Sequence, residues 1–347
     1  MKSIFTLLTI FCLSIAAEAQ SLPAKFDVKL RSKEHVQGIA IDTAGHCFYL
    51  SFTTSLVKTD YTGNVLAKMD SIPGHLGAMS FDAAKRRLYA SLECKDDEIG
   101  QGIAKNQGRA VYSREESRFY IAVIDVDRLE DGRGAMSTFE VAEAIADYKA
   151  QYGCSGIDGV TIAPQIGKKN GKPCLYVAYG IYSDISRRDN DHQILLEYRL
   201  DQVKPGKPLK AREKYFIFTG NTSWGVQNLC YDPKTNCIFM ACYAGKKPEF
   251  PNFSFFAVPV NQKPVEKILR GLEEDGEHMS LSLLQQGLLS SIKGLRGWRF
   301  GEAATGICTL GDGRFFVSSP LKLKKGYQTA TVRQYRWKGG PQERPFE

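Results

Sequence analysis

An aromatic residue followed two places later by a small one recurs five times in strand-like runs: Tyr49/Ser51, Tyr89/Ser91, Tyr176/Ala178, Phe239/Ala241 and Phe316/Ser318. At strand spacing the two residues share one face. Just upstream of each lies another apolar run, at residues 38–42, 78–82, 159–163, 228–232 and 306–310. One face of these runs is large (Ile39, Met79, Val160, Leu229, Ile307) and the other smaller (Ala40, Ser80, Thr161, Cys230, Cys308). Such alternation suits sheets stacked face to face around an axis, and a fixed internal period of this kind marks a repeat architecture.

Two further strands follow in most copies; in the first they are 55–61 and 64–70, joined by Thr62-Gly63. Four antiparallel strands repeated radially make a β-propeller, and five copies predict an all-β, single-domain propeller of five four-stranded blades. The last copy has only three strands, ending at 331–337, while an orphan strand at 26–30 precedes the first. Pairing the orphan with the last blade closes the ring. A six-bladed alternative rests on residues 119–126, which also read aromatic then small but lack an inner strand before them.

Residues 1–19 read as a signal peptide: Lys2, an apolar stretch over 4–15, then Ala17-Glu18-Ala19 before Gln20. The mature chain, 20–347, holds no apolar run long enough to span a bilayer, so a periplasmic or extracellular monomer without membrane insertion is expected. Its net charge of +8 is dispersed over many loops with no Lys/Arg block, the pattern of a solvated surface; a preference for small anionic ligands is the sharper reading, and nucleic acid is not expected of an exported chain with no binding motif. Of nine cysteines, Cys12 falls in the leader; Cys94 and Cys154 are the expected disulfide pair, and Cys230 and Cys308 occupy small packing positions. Asn221-Thr222-Ser223 matches a glycosylation sequon.

The long insertions, 94–117, 142–157, 182–193, 244–252 and 270–304, all return to one face, here called the top. Elaborated loops on one face of a rigid scaffold build sites. The inner strands begin there at Gln37, Gly77, Asp158, Gln227 and Thr305, with His35 and His75 two residues earlier in the first two copies. At the end of the second strand, Glu93 and Lys95 interrupt a pattern that elsewhere carries Thr53, Gly180, Tyr243 and Pro320. His35, His75, Glu93, Lys95 and Asp158 are therefore the candidate catalytic set, with a histidine as base, a carboxyl as acid and the lysine stabilising charge. Glu93, Asp96, Asp97 and Asp158 could supply oxygen ligands to a divalent cation, calcium before a transition ion. Gln37, Trp224, Gln227, Trp298 and Arg299 are candidate ligand-binding residues, the tryptophans as platforms for sugar rings and the arginine for an anionic group.

The phrases SLVKTDYTGNVLAKMD, GHLGAMSFD, RLYASLECKDDEIGQGI and YGCSGIDGVTIAP resemble a family of exported bacterial propeller proteins of uncharacterised function. By architecture five-bladed glycosidases are similar; Asp158 matches their acidic inner-strand entrances, while Gln37 and Gly77 stand at corresponding positions. The expected activity is that of a hydrolase or lyase acting on a glycan or other small anionic substrate. The alternatives are a noncatalytic carbohydrate- or peptide-binding propeller and an interaction scaffold.

Overall fold

The computed structural model describes residues 21–149, 154, 156–180, 191–204, 209–269, 276–291 and 294–347; the expected leader lies outside them. Five small antiparallel sheets form a ring, a five-bladed β-propeller. The inner strands are Val36–Asp42, His75–Asp82, Gly159–Pro164, Thr222–Asp232 and Ile307–Thr309. Each pairs with the strand that carries the aromatic-then-small signature: Cys47–Phe52, Arg87–Cys94, Pro173–Gly180, Cys237–Ala244 and Arg314–Lys322. No helix among the described residues is long and apolar enough to cross a membrane.

The two signature positions do different work. The aromatic residues are at most 1% exposed and pack between blades. Two of the small ones reach across to the next blade: Ser51 Oγ donates to the Gly77 carbonyl (2.6 Å) and Ser91 Oγ to the Asp158 carbonyl (3.1 Å). Near the axis there is no room for more, since a Cβ on Gly38 would lie 2.8 Å from the Gly77 oxygen. On the axis itself, the Asn228 amide donates to the carbonyls of Gln37 (3.0 Å) and Ala304 (2.8 Å), joining blades 1, 4 and 5. The aspartates ending several inner strands tie the turns below: Asp42 accepts from Gly45 N, Asp82 from Lys85 N and Asp232 from Thr235 N.

The N-terminal strand Lys25–Asp27 pairs antiparallel with Gln328–Arg336 and completes blade 5, as the orphan strand predicted. Residues of the proposed sixth blade form Arg118–Asp125, the third strand of blade 2, hydrogen-bonded to Arg87–Cys94. Blade 4 departs from the expected four strands. Its third strand, Phe255–Pro259, is met on its outer edge by a bridge at Trp298 and by the Leu284 N–H, while the hairpin Val265–Leu269/Gly276–Leu281 joins the outer edge of blade 3, parallel to Glu213–Phe218. Trp298 exchanges two backbone hydrogen bonds with Phe255 and occupies the edge the hairpin would have used.

All eight described cysteines are free and buried, so the Cys94–Cys154 bond is absent; the Cys94 thiol donates instead to the Pro73 carbonyl. The sequon asparagine is also buried: Asn221 Oδ1 accepts from the backbone of Lys246 (2.8 Å) and Lys247 (3.3 Å), which leaves no accessible amide in the folded chain.

Phe26 packs on Phe48 with ring centroids 5.1 Å apart, across the seam that closes the ring. Phe26→Ala is expected to lower the unfolding free energy by about 3 kcal/mol, the usual cost of deleting a buried phenylalanine. Urea denaturation checks this, and an unchanged midpoint would contradict closure through this strand.

Candidate functional site

Two cavities open on opposite faces of the ring. The lower one, about 510 Å³, is walled by ends of inner strands and by apolar side chains such as Met79, Leu229 and Ile307. Asp82 on its rim is already engaged in its turn. The upper cavity, about 430 Å³, is lined at its floor by His35, Gln37, His75, Lys95, Asp158 and Gln227. Tyr148, Cys154 and Tyr243 complete its walls, and Asp97, Glu98, Ile99 and Trp224 also line it. Convergent polar groups in one concavity favour the upper cavity as the site. Gln227 lines the upper cavity and Leu229 the lower, with Asn228 between them.

Glu93 organises the floor from behind. His75 and Glu93 are direct partners across the first two strands of blade 2, and the Glu93 side chain is only 1% exposed. Its Oε1 accepts from the Ile157 N–H at 2.6 Å, and its Oε2 pairs with the Lys95 ammonium at 2.8 Å. Gly156 makes this possible: its φ is +126°, and a Cβ there would overlap Glu93 Oε1. Lys95 also meets Asp97 Oδ2 at 3.2 Å. Burial raises the pKa of the Glu93 carboxyl, but Lys95 and His75 override it and hold the group well below its usual range. Burial likewise works against the Lys95 ammonium, and the Glu93 and Asp97 carboxylates reverse that effect. Glu93 and Lys95 thus form a charged, desolvated pair.

His75 is buried, and its Nδ1 stands 3.7 Å from Glu93 Oε2, beyond hydrogen-bonding distance. Both ring nitrogens lack a hydrogen-bond partner among the described residues. Such a group is costly to bury unless something else meets it. Burial lowers the imidazole pKa, but the Glu93 and Asp158 carboxylates outweigh that and raise it. Asp158 goes the other way for a carboxyl: burial first, then the Glu93 charge, push it up to about 7, against the pull of His75, Lys95 and the Gln227 amide. Gln227 Nε2 donates to Asp158 Oδ2 at 3.1 Å. His35 contacts Gln37 at 2.6 Å between the ring Nε2 and the amide nitrogen, and burial followed by the His75 charge lowers its pKa.

The structure brings together His35, His75, Lys95 and Asp158 on the cavity floor, with Glu93 behind them and with Gln37, Gln227 and Trp224 in the lining. Asp97 lines the cavity too, beside Lys95, while Trp298 and Arg299 lie elsewhere. Trp298 is 1% exposed, packed among the aromatics of blades 4 and 5, and its indole donates to the Gly340 carbonyl. Arg299 is paired with Glu343 at 3.2 Å, so neither residue lines the cavity. The four-carboxylate cation set is not assembled: Asp96 bonds Ser117 and Tyr148, and Asp97 caps the helix Glu98–Asn106. Among the described residues the group close enough to share an ion is His75, Glu93 and Asp158, and the Lys95 ammonium already stands beside it.

Sequence reasoning passed over Tyr243, Tyr148 and Ile99. Tyr243 occupies the same repeat position as Glu93, which was the available signal. Tyr148 lies on the helix Ala142–Lys149, within an insertion the repeat does not align, and Ile99 on the helix of another.

No family model matches the chain, and no curated protein matches it. Among solved structures, the chain is similar to a functionally unknown protein from Desulfotomaculum acetoxidans DSM 771, at 11% identity and a TM-score of 0.38. That similarity covers 87% of this chain and 66% of the other.

Glu93→Ala leaves Lys95 buried beside an empty position and is expected to cost about 3 kcal/mol, as for other broken buried pairs. The double change Glu93→Leu with Lys95→Met removes both charges and is expected to recover most of the loss. Urea denaturation of the three proteins decides it, and a double variant no more stable than Glu93→Ala would show that the pair is not the source.

Proposed function

We propose that the protein is an acid–base enzyme, a hydrolase or lyase, acting outside the cytoplasm on a glycan or other small anionic substrate in the upper cavity. The observation that carries this reading is the buried His75, whose ring nitrogens have no hydrogen-bond partner among the described residues, set against Asp158, a carboxyl that burial and the Glu93 charge push up to about 7. An imidazole and a carboxyl on one cavity floor, both raised from their usual ranges, can give one proton and take another in a single turnover. Glu93 and Lys95 fix the field around them, and Lys95 lines the cavity as the charge-stabilising group. The reading needs no resident divalent cation, because the ammonium already neutralises Glu93. Thermal stability and turnover are therefore expected to be the same with calcium and with chelator, as a melting curve and a rate would show.

The active form carries one proton on the Asp158–His75 pair. As pH falls, a second proton enters and no base remains; as pH rises, the shared proton leaves and no acid remains. Turnover is therefore expected to be bell-shaped around neutrality. In Asp158→Asn an anion that raises His75 is lost, so the remaining limb should move to lower pH. A profile that stays flat from about pH 5 to about pH 9, or an Asp158→Asn variant with the parent profile, would remove both groups from the chemistry.

A second reading, noncatalytic sugar binding, has its own observation: Trp224 is 46% exposed at the cavity lip, carried out of the ladder by a β-bulge. A saccharide panel followed by Trp224-dependent fluorescence, with product formation measured in the same samples, separates the two. Quenching without product supports binding alone.

A further inference from the structure

The spacing of the floor residues bears on the type of cleavage. One ligand atom each from His75, Glu93 and Asp158 lies within 4.8 Å of the others. Glycoside hydrolysis with inversion places its acid and base roughly 6.5–9.5 Å apart, on opposite sides of the sugar, and the retaining form needs a second carboxyl free to attack at about 5–5.5 Å. Here the acid and base candidates are adjacent. The other carboxylate, Glu93, is 1% exposed and held by Lys95 and the Ile157 N–H, so it cannot reach a substrate carbon. Adjacent groups instead suit a reaction whose two proton transfers occur on one face of the substrate.

We propose that the upper cavity cleaves by syn β-elimination, taking as substrate a sugar acid of the uronate class, with an oxygen leaving group β to its carboxylate. The inference rests on the acid–base reading above. His75 removes the proton from the carbon next to the carboxylate. The C–H electron pair becomes the new C=C bond, the C–O bond to the leaving sugar breaks, and Asp158 delivers its proton to the departing oxygen. No water, oxidant or reductant is consumed. As its neighbouring carbon loses a proton the substrate carboxylate needs a placed donor, and Lys95, the one lysine or arginine among the residues lining the cavity, is held there by Glu93 and Asp97; with its charge already balanced, it acts as an oriented ammonium donor and not as net positive charge.

The test uses the purified mature chain with a panel of uronic-acid polysaccharides and their carboxyl-reduced counterparts. Ultraviolet absorbance of the unsaturated carboxylate product and new reducing ends are followed in parallel. Elimination predicts that both rise one for one on at least one uronate polymer and that neither rises on its reduced counterpart. His75→Gln and Asp158→Asn should each slow this by about 100-fold, with fluorescence-monitored binding of the polymer retained. Reducing ends without absorbance would overturn elimination and leave the acid–base reading standing. Absence of product from every polymer overturns both, whether or not quenching persists.

Discussion

Crowding at the propeller axis is the constraint on which the rest depends. Five inner strands approach so closely that the Gly38 position admits no Cβ, and their axis-facing carbonyls have no strand beside them to pair with. Donors from neighbouring blades meet them instead: the Ser51 and Ser91 hydroxyls, the Ala78 N–H at 3.2 Å from the Asp158 oxygen, and the Asn228 amide reaching two blades at once. Each is a hydrogen bond that a larger residue would forfeit. The small residue of the repeat is therefore a steric requirement throughout, and in blades 1 and 2, where it is Ser51 and Ser91, it also ties the blade to the next. The backbone that carries Asp158 is fixed by the blade before it, which makes the cavity floor a property of the ring and not of any single loop.

The electrostatics of the floor follow from that rigidity. Glu93 and Lys95 neutralise each other in a place that water barely reaches, and their separation is held by Gly156, Ile157 and Asp97. The pair stands beside His75 and Asp158 at the cavity floor. Burial alone would drive the histidine neutral and the acid protonated; the carboxylates pull the histidine back, and the Glu93 charge pushes the acid further. Both groups, within 4.8 Å of each other, are thereby held above their usual ranges.

Much of the ring was legible. The aromatic-then-small period located all five second strands, and the orphan segment before the first blade announced how the circle closes. The convergence of His75, Glu93, Lys95 and Asp158 was also readable, because aligned repeat positions must lie at the same height on the axis. Trp298 and Arg299 were misread because the insertion before blade 5 follows no repeat; its Trp298 packs on Phe255 and Trp337 and its Phe300 on Phe346. The same packing displaced the outer hairpin of blade 4 onto blade 3. Asp96 and Asp97 looked like cation ligands in a run of acidic residues, yet a turn and a helix cap had prior use for them.

By itself the sequence determined the five-fold repeat, its closure by the first strand and the end of the axis at which the polar inner-strand entrances lie, since these depend on a local periodicity repeated along the chain. Only the tertiary structure decided which carboxylate is locked and which can titrate, and which tryptophan is a lip and which is core. Those outcomes depend on distances between blades and on burial, which no single repeat encodes.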